Sequence, residues 1–151
     1  MIKEFNINFS ERYIAQTIQK IKGYPWNNMS NLNGWEHGTN KKYLKKLCDY
    51  WVSEFDWKKH EKSINSFSNY KTEVDGINVH FIKETGSGKN PKPLLLMHGW
   101  PGSVIEFLEI IKPLAHPEKF GGNKEDGFTI IAPSLPGFGF SESPKKPLGP
   151  R

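Results

Sequence analysis

Cysteine is nearly absent from the sequence, and its first 20 residues contain no long apolar run. The one cysteine, Cys48, excludes an intramolecular disulfide and any multi-cysteine zinc site. It lies among apolar neighbours in a segment with helical periodicity, so we expect a buried, unreactive thiol. Charged and amide side chains interrupt residues 1–20, and the sequence therefore predicts neither a signal peptide nor a transmembrane helix.

Long runs of like charge are missing as well. The net charge is +5, but the lysines occur singly or in pairs along the whole chain, and most have a carboxylate close by. A nucleic-acid-binding groove concentrates basic residues on one element. We therefore predict no nucleic-acid partner.

Several catalytic signatures do not occur. The serine elbow G-x-S-x-G is missing, and so are H-x-x-x-H, H-E-x-x-H and C-x-x-C. We expect no serine nucleophile, no metal and no cofactor. Four histidines are scattered along the chain, where we expect surface positions or hydrogen-bonded structural roles: His37, His60, His80 and His116.

Residues 1–67 favour helices. Ser10 is a predicted N-cap, followed by isoleucines at helical spacing and a stop at Gly23. A second helix is predicted to open at Thr39 or Asn40, and Asp56 to cap a third that ends near Asn65. The loop over residues 24–38 carries four large apolar residues that suggest it is packed: Trp26, Met29, Leu32 and Trp35. The second helix has an apolar stripe made of Tyr43, Leu44, Leu47, Tyr50, Trp51 and Phe55.

Residues 68–151 carry strand patterns and one further helix. Asp75-Gly76 joins two β-type runs and predicts a hairpin. Residues 94–97 are apolar without alternation, which is typical of a parallel strand buried on both faces. A helix over residues 103–115 and a buried strand over residues 128–133 follow. This order is the opening of an α/β sheet that lacks the later strands such sheets commonly have, so we expect an incomplete α/β fold behind a helical module.

The sharpest local signal is His98-Gly99-Trp100-Pro101-Gly102, between a predicted strand and a predicted helix. Ligands of open α/β sheets bind at the carboxyl ends of strands, and a loop there can aim backbone N–H groups at developing negative charge. We therefore predict an oxyanion hole in this loop, with Trp100 as one candidate for the N–H donor. Pro101 has no N–H, and we hypothesise a cis Trp100–Pro101 bond. The alternative is a tight structural turn with a hydrogen-bonded histidine.

A second loop follows the next strand and contains Pro136-Gly137-Phe138-Gly139. Its two glycines are not a dinucleotide motif, because Glu142 stands where G-x-G-x-x-G needs its third glycine and prolines follow instead of a helix. We expect a rigid loop that lines the same pocket as residues 98–102.

Three stretches together carry a family resemblance: H-G-W-P-G-S, I-I-A-P-S-L-P-G-F-G-F-S, and W-E-H-G-T-N-x-x-Y-L-x-x-L-x-x-Y-W-x-x-E-F-D-W. They resemble the microsomal and juvenile-hormone epoxide hydrolases from about Phe5 to Pro144. The resemblance implies a helical N-terminal module over residues 1–67 and the N-terminal part of an α/β-hydrolase domain over residues 68–151.

The resemblance also implies a mechanism. In this family an Asp attacks an epoxide carbon to form an ester, a His paired with an acidic residue activates water, and two lid tyrosines protonate the epoxide oxygen. Trp100 would stabilise the oxyanion during ester hydrolysis, and His98 would not be the general base. Because the nucleophile, the base and the lid lie C-terminal to the loop that ends this sequence, we expect a fragment that is inactive alone. The substrate would be a small-molecule epoxide, either a xenobiotic in detoxification or a juvenile hormone.

Other interpretations stay open. The chain could be a non-catalytic short protein whose helical module packs against or binds a partner chain, or a complete small hydrolase with an unusual nucleophile. Microsomal members carry a membrane anchor ahead of the helical module, whereas here Met1 falls almost at its start. The resemblance implies the endoplasmic reticulum membrane, and a chain without the anchor would be cytoplasmic.

Overall fold

The helical segment and the sheet form separate units in the computed structural model, which describes residues 1–29 and 34–148. One unit is residues 8–61, and the other is residues 1–7 with the chain from residue 62 onward. The sequence-based boundary between residues 67 and 68 stays a prediction.

Three helices begin where the sequence predicts. α1 spans Glu11–Lys22, and its N-cap Ser10 accepts the Tyr13 N–H at 3.2 Å. α2 spans Lys41–Ser53 behind Asn40, and α3 spans Trp57–Asn65 behind Asp56. Each cap accepts a backbone N–H that a helix start would otherwise leave unpaired.

The apolar stripe of α2 is only partly covered. No residue of α2 is buried, and Tyr43 and Tyr50 are 53% and 46% exposed. The prediction of a buried Cys48 is therefore wrong, since its side chain is only half-buried. The physical reason is that α2 packs against α1, which itself has no buried residue.

Aromatic contacts hold parts of the loop between α1 and α2. A 3-10 turn spans Trp26–Asn28, and the Trp26 ring lies 4.7 Å from that of Tyr24. The ring of Trp35 packs against Tyr43 of α2 at 5.1 Å, although Trp35 itself is exposed. Leu32, the remaining apolar residue of the predicted packed loop, lies outside the described residues.

The sheet holds five strands in the order β1-β2-β3-β5-β4. β4 and β5 run parallel, and the other neighbouring pairs are antiparallel. The strands are β1 Lys3–Glu4, β2 Ser68–Val74, β3 Ile77–Glu84, β4 Lys92–Leu95 and β5 Phe128–Pro133. This mixed sheet with its helices confirms the predicted α/β class.

The hairpin of β2 and β3 turns at Asp75 and Gly76, as predicted. Both have positive φ, 51° and 78°, as a two-residue turn matched to the twist of the strands requires. β1 was not predicted, because a two-residue strand has no readable periodicity and its partners Lys71 and Tyr70 are distant in sequence.

The connection from β4 to β5 covers one face of the sheet. A 3-10 turn over Val104–Phe107 leads into α4, Leu108–Ala115, so the predicted helix over residues 103–115 is present with a tighter first turn. The buried core joins this connection to the sheet through Phe67, Ile82, Val104, Ile111, Ala115, Ile130 and Ala132.

Burial of β4 differs from the prediction. Leu94 and Leu96 pack against the core, but Leu95 and Met97 are 57% and 59% exposed. β4 is the last strand of the sheet, and among the described residues nothing pairs with its outer edge. The strand is parallel as predicted but is buried on one face only.

Candidate functional site: the loops after β4 and β5

A tight turn follows β4 directly. The Gly102 N–H donates to the Gly99 carbonyl at 2.7 Å, and the Trp100–Pro101 peptide is cis, as hypothesised from the sequence. The Trp100 residue is 83% exposed. Within residues 1–29 and 34–148, no acceptor meets the Trp100 backbone N–H, so this donor remains available to a ligand.

Gly102 leaves room for the cap of the following turn. The Glu106 carboxylate accepts the Ser103 N–H at 2.9 Å, while the Ser103 hydroxyl accepts the Ile105 N–H. A Cβ on Gly102 would lie 1.5 Å from Glu106 Oε1. Glycine at this position therefore allows the chain to pass from the Trp100 turn into a capped 3-10 turn without a clash.

His98 joins this turn to the loop after β5. Its ring is buried, its Nε2 accepts the Leu135 N–H at 3.0 Å, and the Phe138 ring packs on it edge-to-face at 5.6 Å. Residues 136–139 thus lie beside residues 98–102, which brings the two sequence motifs together. The geometry gives His98 a structural contact and no exposed position from which it could act as a base.

The loop after β5 is fixed along its length. The Gly137 N–H donates to the Glu142 carbonyl at 3.0 Å, and the Phe138 N–H to the Leu135 carbonyl at 2.9 Å. Asn78 of β3 donates its backbone and side-chain N–H groups to the Glu142 carboxylate, which holds the pKa of Glu142 below its usual value. These contacts agree with the rigid loop that the sequence predicts.

A buried polar network lies at the start of the same loop. His80 Nδ1 lies 2.9 Å from the Ser134 hydroxyl, and His80 Nε2 lies 2.9 Å from Asn69 Oδ1. The amide of Asn69 donates to two backbone carbonyls, so its oxygen must face His80, whose Nε2 therefore carries the proton. Burial, with the nearby Lys71 charge, lowers the pKa of His80 to about 4.

The order Ser–His–Asn resembles a hydrolytic triad, but His80 and Ser134 have no exposed surface. A substrate cannot reach this hydroxyl, and the network is structural. A hydrogen-bonded His80 was expected from the sequence, whereas its partner Ser134 was not. The signal was available: His80 shares its strand face with the apolar Ile82, which indicates an inward-pointing histidine that needs partners.

A second polar cluster, centred on His116, lies toward the amino ends of β4 and β5. His116 Nε2 is 2.8 Å from Glu84, and its Nδ1 is 2.7 Å from the Ser87 hydroxyl, which donates to Glu118 at 2.8 Å. The cluster ties the end of β3 to the end of α4. His37 and His60 are exposed, so each of these four histidines lies at the surface or has partners, as expected.

Two family descriptions match the chain. Residues 2–107 match the family described as Epoxide hydrolase N terminus, and residues 92–149 match the alpha/beta hydrolase fold. The chain belongs to the Epoxide hydrolase N terminus family. This result confirms the resemblance and the α/β-hydrolase class predicted from the motifs.

Relatives of this epoxide hydrolase family match almost the whole chain. Epoxide hydrolase 1 of Oryctolagus cuniculus is 39% identical over 149 residues, which are 96% of this chain and 33% of that protein. The crystal structure of juvenile hormone epoxide hydrolase from the silkworm Bombyx mori is similar with a TM-score of 0.84 and 35% identity, over 97% of this chain and 35% of that one. Aspergillus niger epoxide hydrolase is similar with a TM-score of 0.75 and 26% identity, over 95% of this chain and 37% of that one.

The chain spans about a third of the length of the curated relatives it matches. The part of the epoxide hydrolase family represented here includes the helical unit and the turn with Trp100. None of the helices within residues 1–29 and 34–148 has both the length and the apolar character that a bilayer span requires.

Proposed function

We propose that the chain forms the oxyanion-binding part of an epoxide hydrolase, which adds water to an epoxide to give a diol. The observation that carries the proposal is the available Trp100 N–H in the turn at the carboxyl end of β4. Backbone donors at this end of a parallel strand are well placed for charge that develops in a transition state.

The reaction has two covalent steps. An Asp carboxylate from the remaining two thirds of the family's length attacks an epoxide carbon, the ring C–O bond breaks, and a lid tyrosine protonates the departing oxygen. Water activated by a histidine then adds to the ester carbonyl and gives a tetrahedral oxyanion. Its collapse releases the diol and restores the Asp carboxylate, and the proton that the histidine took from water replaces the one that the tyrosine gave up. Trp100 acts in the second step.

Three of the backbone groups around Trp100 cannot act as the donor of this corner. Pro101 has no N–H, the Gly102 N–H is bonded to Gly99, and the Leu135 N–H is bonded to His98. In other α/β-hydrolases the second donor comes from the residue after the nucleophile. We expect that residue to complete the hole here.

The substrate class we propose is a small-molecule epoxide, and the family resemblance supports both xenobiotic epoxides and juvenile hormones. Relatives named Epoxide hydrolase 1 in Oryctolagus cuniculus and juvenile hormone epoxide hydrolase in Bombyx mori are similarly distant, at 39% and 38% identity. We propose the endoplasmic reticulum membrane as the location, on the resemblance to microsomal members.

A chimeric enzyme tests the proposed function. Residues 1–151 replace the matching third of Bombyx mori juvenile hormone epoxide hydrolase, and diol formation from stilbene oxide and juvenile hormone is measured. We expect diol from the chimera and none from the 151-residue chain alone. In a single turnover in H₂¹⁸O the label should enter the Asp carboxylate, since water attacks the ester carbonyl. A folded chimera without diol, or first-turnover label in the diol, would contradict the proposal.

A non-catalytic partner-binding role is the second candidate, and the exposed aromatic face of α2 favours it. Under this role the folded chimera would be inactive, and the chain alone would self-associate or bind a partner through Tyr43 and Tyr50. Sedimentation of the chain with and without Tyr43→Ser and Tyr50→Ser measures that outcome.

A further inference from the structure

His98 touches the peptide group that carries the proposed donor. Its Nδ1 lies 3.2 Å from the Gly99 carbonyl oxygen, which also accepts the Gly102 N–H at 2.7 Å. The Gly99 carbonyl and the Trp100 N–H belong to one peptide plane, and in a trans peptide they point in opposite directions. Whatever holds the Gly99 oxygen therefore aims the Trp100 N–H.

The partners of His98 fix which nitrogen carries a proton. The Leu135 N–H is a donor, so Nε2 must offer its lone pair. The Gly99 oxygen is an acceptor, so Nδ1 must carry the hydrogen. A ring protonated on both nitrogens would set an Nε2–H against the Leu135 N–H, and the contact between the two loops would be lost.

Leu135, which donates its N–H to His98, lies in a segment that is itself held by hydrogen bonds. The Ser134 N–H donates to the His80 carbonyl at 2.9 Å, and the Ser134 hydroxyl meets the His80 ring. Leu135 follows directly, so its N–H is presented to His98 from a fixed peptide. Phe138 packs on the ring of His98 and limits its rotation.

We propose that His98 is a positioning residue for the Trp100 N–H, acting as an uncharged ring that holds the Gly99 oxygen and is steadied by Leu135. This inference rests on the proposed function, because orienting the donor matters only if an oxyanion forms beside it. His98 transfers no proton in this account. Its effect is expected in ester hydrolysis and not in ester formation.

Two substitutions separate the two contacts of the ring. Asn places its amide nitrogen near the position of Nδ1, so His98→Asn keeps a donor for Gly99 and loses the acceptor for Leu135. Gln reaches the position of Nε2, so His98→Gln keeps an acceptor for Leu135 and loses the donor for Gly99. His98→Phe keeps the ring shape and loses both. His37→Asn, at an exposed histidine, is the matched control.

The experiment measures ester formation and ester hydrolysis separately, by quenched-flow mass spectrometry of the chimeric enzyme. Removing one oxyanion donor outright costs about 10²–10³ in rate, so we expect a misaimed donor in His98→Phe to slow hydrolysis about 10–100-fold. The rate of ester formation and kcat/KM should change little, because both are set before hydrolysis, and melting temperatures are recorded for every variant. His98→Asn should recover more of the hydrolysis rate than His98→Gln.

The outcomes distinguish this inference from the proposed function. A wild-type chimera that forms no ester overturns the proposed function. An active wild type whose His98→Phe variant hydrolyses the ester normally, or whose His98→Gln variant recovers better than His98→Asn, overturns the role of His98 alone. A ¹⁵N imidazole spectrum of the 151-residue chain gives a readout independent of activity. We expect the proton on Nδ1 of His98 at pH 7.5, and a proton on Nε2 would overturn the inference.

Discussion

The imidazole of His80 and the hydroxyl of Ser134 lie 2.9 Å apart, and neither residue has exposed surface. The pair joins β3 to the end of β5, where the loop with Leu135 begins. His80 is neutral in this setting, because burial lowers its pKa from 6.5 to about 4. The start of the loop after β5 is therefore held by a buried, neutral histidine.

Acid should destabilise the fold through His80. The unfolded chain binds a proton near pH 6.5 and the folded chain only near pH 4, so stability is fully present above pH 6.5 and falls as the pH drops toward 4. At about 1.4 kcal/mol per pKa unit, the full effect is on the order of 3 kcal/mol. Urea unfolding at pH 7.5 and 5.0 should show about 2 kcal/mol of this loss, because the folded chain binds the proton fully only below pH 4.

A His80→Gln variant is the control for this pH dependence. It removes the titrating ring, so its stability should be lower at pH 7.5 but should change less between pH 7.5 and 5.0. His37→Asn should keep the pH dependence of the parent chain. If the free energy of unfolding changed equally with pH in the parent chain and in His80→Gln, another group would be the cause of the pH dependence.

Gly139→Ala should destabilise the loop through Ser134. Gly139 has φ +52°, and a Cβ there would lie 2.7 Å from the Ser134 hydroxyl oxygen that contacts His80. The matched control is Gly137→Ala, which has φ +84° but would meet only a Pro144 atom at 3.6 Å. Both substitutions carry the cost of a left-handed residue, about 1–2 kcal/mol, and Gly139→Ala should add about 1–3 kcal/mol for the clash. If the two substitutions lowered the free energy of unfolding equally, the Ser134 side chain would be able to move away from the added Cβ without loss of stability.

Ser87→Ala should weaken the connection between β3 and α4. The Ser87 hydroxyl bridges His116 and Glu118, and both of those contacts involve ionisable partners. We expect the free energy of unfolding to fall, since the substitution removes the contact with half-buried His116 as well as the contact with Glu118. Ser63→Ala on α3 serves as the control. A double-mutant cycle with Glu118→Ala should show coupling, and strict additivity would contradict the bridge.

Local sequence signals predicted the elements whose contacts are local. Ser10 and Asn40 cap helices within their own turns, and Asp75-Gly76 turns a hairpin between adjacent strands. The exposed face of β4 was missed, since apolar composition indicates which residues can be buried but not which strand lies at the edge of the sheet. The short strand Lys3–Glu4 was missed because its partner lies far along the chain.

In the candidate site, too, local features were predicted from the sequence and a long-range contact was missed. The turn and its cis Trp100–Pro101 bond were predicted, since the glycines and the proline that shape the turn are neighbours in sequence, and the role of Trp100 stays a prediction. The hydrogen bond between His98 and Leu135 was not predicted, because Leu135 is 37 positions away and comes near His98 only when β4 and β5 pair. Long-range partners of a polar side chain follow from topology, which a single sequence gives only in outline.

The most direct test of the account is the rate of ester hydrolysis in chimeric enzymes carrying Trp100→Pro and Trp100→Ala. Proline removes the backbone N–H, whereas alanine keeps it and removes a side chain that is 83% exposed. The account predicts that the ester accumulates in Trp100→Pro, with hydrolysis slowed about 10²–10³-fold, while Trp100→Ala hydrolyses the ester at least about thirtyfold faster than Trp100→Pro. Equal hydrolysis rates in two folded variants would contradict the assignment of the Trp100 N–H as the oxyanion donor.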